Sequence, residues 1–155
     1  MTLTISHEML APAAALVLWT LIILLYTAIM RFAAFKTANI DLRKVPPGGR
    51  GQDLESILPK PIMWPSHNYS HLVEQPTLFY ALCFALQFLD QANDINIGLA
   101  WLYVALRVVH SLVQGTVNII IVRFLIFVTA SVVLMMLAVH AAIGVGMIDA
   151  SFLHH

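Results

Sequence analysis

The sequence predicts an all-α integral membrane protein built as a four-helix bundle, and three observations predict it. Of the 155 residues 60% are hydrophobic and only 10% charged, with mean hydropathy +0.85, against the ~25% charge of a soluble domain. The apolar residues fall in continuous runs, each near the ~20 residues a helical crossing needs, not in the alternating segments of a β-barrel. Lysine and arginine gather in alternate linkers. This composition excludes a disordered chain, a basic nucleic-acid-binding domain and an ordinary soluble enzyme core. Formal net charge is zero, and the single Cys83 excludes an intrachain disulfide or a thiolate zinc cluster.

The elements follow in order. Met9 to Met30 carries no charge and extends into a first helix over about 9–35. It is too long for a signal-peptide core, is preceded by Glu8 and lacks a small-residue cleavage site, so no processing is expected. Residues 36–66 form a long polar loop, with Pro46-Pro47-Gly48-Gly49, Pro59, Pro61 and Pro65, ending near the interfacial Trp64. A second helix is expected over 67–89 with one acid, Glu74, and a third over 95–114 with one base, Arg107. Asp90 to Asp94 is a tight turn. The fourth helix spans about 122–148, uncharged from Phe124 to Ile148. The whole chain, 1–155, reads as one membrane domain.

Orientation follows from the bases. Lys36, Arg43, Lys44, Arg50 and Lys60 lie in the first loop and Arg123 at the third linker, while the tails and the Asp90–Asp94 turn have none. The positive-inside rule puts the first and third linkers in the cytoplasm and both termini on the other side.

The buried charges point to a site. Glu74 lies roughly 10 Å and Arg107 roughly 12 Å from the cytoplasmic ends of their helices at helical rise. A charge in the bilayer centre costs ~2.5–3.5 kcal/mol or more, so the two are expected to face the bundle interior and interact, directly or through a ligand. His67, His71 and Glu74 share one face of the second helix, and Tyr103, Arg107, His110 and Gln114 one face of the third. Arg31 and Arg123 sit at the same end; the outer half offers only His140, read as a hydrogen-bonded structural residue. Three readings stand: a structural ion pair with interfacial Arg and His around it, an anion-binding hollow, or a metal held by His67, His71 and Glu74. Three arginines against one carboxylate suit a small acid, which Arg grips by paired hydrogen bonds, and disfavour a cation, so no metal is expected. Pro76 lacks an N–H and would free the carbonyl of Leu72 at a kink.

Local motifs add a resemblance. Arg31-Phe-Ala-Ala-Phe-Lys36-Thr-Ala-Asn39 is similar to the helix 1 junction of the MAPEG family, the membrane-associated proteins in eicosanoid and glutathione metabolism. Glu74-Gln-Pro76-Thr-Leu-Phe79 resembles its Glu-x-x-Pro-x-Phe element with the proline shifted by one. Arg107-Val-Val-His110-Ser-Leu-Val-Gln114 is similar to its Arg-x-x-His-x-x-x-Tyr, and Arg123 falls where the prostaglandin E synthase and microsomal glutathione transferase branch has its thiol-activating arginine. The resemblance implies a homotrimer with glutathione bound between protomers near the cytoplasmic face. It also implies a site of Arg31, His67, His71, Glu74, Arg107, His110 and Gln114, with Arg123 stabilising the thiolate, and a lipophilic electrophile or hydroperoxide arriving from the bilayer. His67, His71 and Gln114 depart from the family's arginine, asparagine and tyrosine. The competing function is a non-catalytic membrane module that binds a lipid or a protein partner.

Overall fold

The computed structural model describes residues 8–39, 47, 48 and 50–148. Arg43, Lys44 and the terminal residues used for orientation lie outside them. The described residues form five α-helices: α1 Leu10–Thr37, α2 Lys60–Glu74, α3 Pro76–Phe88, α4 Asp94–Gly115 and α5 Ile120–Gly144, with a 3-10 turn at Gly51–Ser56. Three of them, α1, α4 and α5, are each long and apolar enough to cross a membrane.

α2 and α3 make up one rod with a local break. Gln75 between them keeps helical angles, φ −66 and ψ −38. Pro76 supplies no N–H, and the gap is tightened by Leu78 N donating to the Gln75 carbonyl at 3.0 Å and by Thr77 Oγ1 donating to the Glu74 carbonyl at 2.7 Å. The all-helical fold is therefore four rods.

One boundary departs clearly from the sequence reading. The second rod begins at Lys60, not at His67, so the long linker ends at Pro59. The prolines there suggest irregular structure, but Pro61 occupies the first turn, where a missing N–H costs nothing. Pro65 lies inside the helix, and its carbonyl accepts a 2.9 Å bond from Thr27 Oγ1 of α1.

The turns use residues that tolerate left-handed backbone: Asp90 (φ 56) after α3 and Asn118 (φ 52) before α5. Asn93 caps α4, its side chain accepting from the Asn96 amide at 3.0 Å. The core runs through all four rods, with Leu16 of α1, Leu72 and Phe79 of α2 and α3, Tyr103 of α4 and Leu137 of α5 at its centre. Outside it, α1 and α5 present large apolar side chains, among them Leu25, Phe32, Ile120 and Met135. An apolar surface of that extent fits a lipid environment.

The outer end is less empty than its sequence suggests. His140 Nδ1 lies 2.5 Å from Asn96 Oδ1, and Asn96 Nδ2 donates to the Gln91 carbonyl at 2.8 Å. These side chains pin α5 to the start of α4.

Candidate functional site

α4 carries the polar stripe along its buried face. Tyr103, Arg107, His110 and Gln114 are buried there, spaced three or four residues apart and so on one side of the helix, with Ser111 buried beside His110. Arg107 is 1% exposed. Its guanidinium donates to the His71 carbonyl and, at 3.5 Å, to Gln75 Oε1. Both acceptors are neutral and both belong to the kinked rod.

Glu74 does not meet Arg107. Its side chain is 67% exposed, and its closest basic atom is His71 Nδ1 at 3.7 Å. The inward expectation fails for a geometric reason. The buried line of this rod runs Asn68, Leu72, Pro76, Phe79, Cys83. At about 100° per residue, Glu74 stands some 200° past Leu72. The carbonyl engaged by Arg107 also belongs to His71 rather than to the expected Leu72.

Gln75 takes the inward place. Its Oε1 accepts from Tyr103 OH at 3.2 Å and from Arg107, and its Nε2 donates to Ser131 Oγ of α5 at 2.7 Å. Arginine is only a donor, which sets the amide orientation. Asn68 is a second unforeseen link, donating to Ser111 Oγ at 2.8 Å and to the Ser111 carbonyl at 3.0 Å. The apolar series Leu72, Phe79, Cys83, Leu86 is the sequence signal that would have turned Gln75 and Asn68 inward and Glu74 outward.

Arg123 is the focus of the other expected residues. Its NH1 donates to Asn118 Oδ1 at 2.6 Å, while its buried Nε has no partner among the described residues. It lines two adjoining cavities. One, of about 370 Å³, is also bounded by Glu55, Lys60, Trp64, His67 and Asn118. The other, of about 210 Å³, is bounded by His71, His110, Phe124 and Phe127. His110 lies edge-on between His71, 6.0 Å away centre to centre, and Phe127, 6.4 Å away. Among the described residues neither ring nitrogen of His110 has a hydrogen-bond partner, and Gln114 Oε1 and Asn68 Oδ1 are likewise buried without one. Gln114 comes near the ring without hydrogen-bond geometry.

The structure thus brings His67, His71, His110 and Arg123 around one pair of cavities. Arg31 stands apart, donating to Ser66 Oγ at 2.7 Å. Glu55, absent from the sequence reading, approaches His67 Nε2 at 2.9 Å because the 3-10 turn folds back over α2. Nothing in its local sequence marks it.

The cluster therefore joins cations, one carboxylate and several unpartnered polar atoms beside a wall of aromatic and aliphatic side chains. It is suited to hold a small zwitterionic acid and to favour an anion at Arg123. Among known protein families, the model of the MAPEG family matches residues 9–143. No curated protein and no solved structure matches the chain.

Proposed function

The chain belongs to the MAPEG family, and from that premise we propose that it is a glutathione-dependent membrane transferase or peroxidase acting on a lipophilic electrophile or hydroperoxide. The observation that carries the proposal is Arg123, shared by a polar cavity and an apolar one with a buried Nε left unpartnered. The donor set fits the tripeptide. Lys60 and His67 are placed for carboxylates and Glu55 for an ammonium, all on the wall of the ~370 Å³ cavity, which falls in the size range of small-molecule sites. Glutathione supplies the nucleophilic thiol. The Arg123 guanidinium favours its thiolate form, because a neighbouring cation stabilises the charged state. Phe124 and Phe127 make that side of the cavity apolar.

On this reading Arg107 supports the site rather than holding ligand. Its NH1 and NH2 donate to Gln75 and His71, with only its Nε unpartnered among the described residues, so it fixes the rod that carries His67 and His71. Arg31 holds the same rod through Ser66. The proposed homotrimer gives the outward Glu74 a role, since an exposed carboxylate in this half is open to a neighbouring protomer. The proposed topology has four crossings, the kinked rod being the second, with both termini opposite the site.

A second reading, a non-catalytic membrane module binding a lipid or protein partner, is favoured by the loss of Glu74 and Arg107 from the expected ligand set. Calorimetric titration of glutathione into the purified protein separates the two. The proposal expects saturable binding that Arg123→Ala weakens at least tenfold, and conjugation of a generic aryl halide. No heat at millimolar glutathione together with no conjugation overturns it and leaves the module.

A further inference from the structure

A thiol that binds at Arg123 has a proton to lose, and the guanidinium cannot take it, since arginine carries donors and no acceptor. The cavity of about 210 Å³ that Arg123 shares with Phe124 and Phe127 has two other titratable side chains in its wall among the described residues, His71 and His110. Both ring nitrogens of His110 are buried away from open space, so its ring walls the cavity without offering it a basic atom. His71 differs. Its side chain is 44% exposed, and its Nδ1 faces Glu74 Oε2 at 3.7 Å.

His71 therefore has the parts of a base and its orienting group. Glu74 follows it by three residues and stands one helical turn away on the same rod. A carboxylate beside Nδ1 holds the ring proton there and leaves Nε2 with its lone pair. The separation is longer than a hydrogen bond, as catalytic contacts often are before substrate arrives and tightens them. The backbone that carries the ring is fixed, because Arg107 donates to the His71 carbonyl. The charged and titratable groups around the ring are His67 and Glu74 on its own rod, Arg107 and His110 on α4 and Arg123 on α5. Glu74 is the one carboxylate among these described residues. Its side chain is 67% exposed, so a proton that reaches His71 has a way out on that side.

We propose that His71 is the catalytic base of the reaction, taking the thiol proton on Nε2, while Glu74 is a positioning residue that orients the ring and balances the imidazolium. The proposal rests on the glutathione reading above and adds to it the group that removes the proton. The S–H bond breaks and its electron pair stays on sulfur, beside Arg123; the proton forms the Nε2–H bond. With an aryl halide the thiolate then forms the C–S bond, the carbon–halogen bond breaks and the halide leaves with its electron pair. His71 releases the proton to solvent past Glu74 and is neutral again. Arg123 and His71 divide the step, one stabilising the anion and the other receiving the proton.

Steady-state conjugation of the aryl halide across pH, with calorimetry of glutathione binding in parallel, tests it. His71→Asn keeps a polar side chain that takes no proton. It is expected to lower kcat about a hundredfold at neutral pH and to remove the acid limb of the rate profile, with glutathione affinity within about threefold of wild type. Added imidazole, which can enter a half-exposed site, is expected to restore part of the lost rate. Glu74→Gln should leave the fold intact, since an exposed pair contributes little to stability. It is expected to lower kcat about tenfold at unchanged KM for glutathione, and it decides the matter if His71→Asn does not fold. A wild-type kcat in either variant, a loss confined to glutathione affinity, or a His71→Asn enzyme indifferent to imidazole overturns the proposal and leaves the transferase reading in place. A wild type that neither binds glutathione nor conjugates overturns both.

Discussion

Arg107→Met keeps the length and volume of the side chain while removing its charge and donors. The guanidinium is 1% exposed and is held by the His71 carbonyl and Gln75 Oε1, without a carboxylate partner among the described residues. Carrying its charge inside the bilayer costs about 2.5–3.5 kcal/mol. Two hydrogen bonds from a charged donor return about 1.5–3 kcal/mol each. The balance runs from near zero to about 3.5 kcal/mol in favour of the arginine, so the methionine variant should fold with that modest loss. Arg107→Lys should be no more stable than the methionine variant, since it keeps the desolvation cost and loses the planar fork that reaches both acceptors. Thermal unfolding in detergent measures the stabilities, and calorimetry the glutathione affinity. Affinity should stay within about threefold of wild type in Arg107→Met. A fully stable methionine variant that has lost glutathione binding a hundredfold would refute the reasoning, because it would make Arg107 a ligand of the tripeptide rather than a clamp on the kinked rod.

Three further outcomes are expected. Glu74→Gln should change the unfolding free energy of the monomer by less than about 0.5 kcal/mol, since an exposed 3.7 Å pair with His71 contributes little; chemical denaturation of detergent-dispersed protein reads this. Asn93→Ala removes the oxygen that caps α4 and should cost about 1 kcal/mol, visible as a lower melting temperature with unchanged glutathione affinity. Phe79→Ala deletes a fully buried ring stacked on Tyr103 with centroids 4.5 Å apart, and should destabilise by about 3–5 kcal/mol, enough to show as loss of monodisperse protein on gel filtration.

The membrane class, the four rods and the buried stripe on α4 were legible in the sequence because they rest on long-range statistics of the chain: unbroken apolar runs and polar residues repeating every three or four positions. The start of the second rod was not, because proline signals both an irregular loop and a first helical turn, and only the packing of Pro65 against Thr27 distinguishes them. The sequence placed Arg123, His67, His71 and His110 at the same end of their helices, but the two cavities they line arise from how the helices meet, which no spacing shows.

Composition and hydropathy alone determined that this chain would fold as helices in a bilayer with its arginines toward one end, since hydrocarbon forbids unpaired backbone and penalises charge wherever the helices go. The tertiary structure decided which polar side chain meets Arg107. Glu74 and Gln75 are adjacent in the chain but about 100° apart around the helix. That single step put a neutral amide inside and left the carboxylate at the surface.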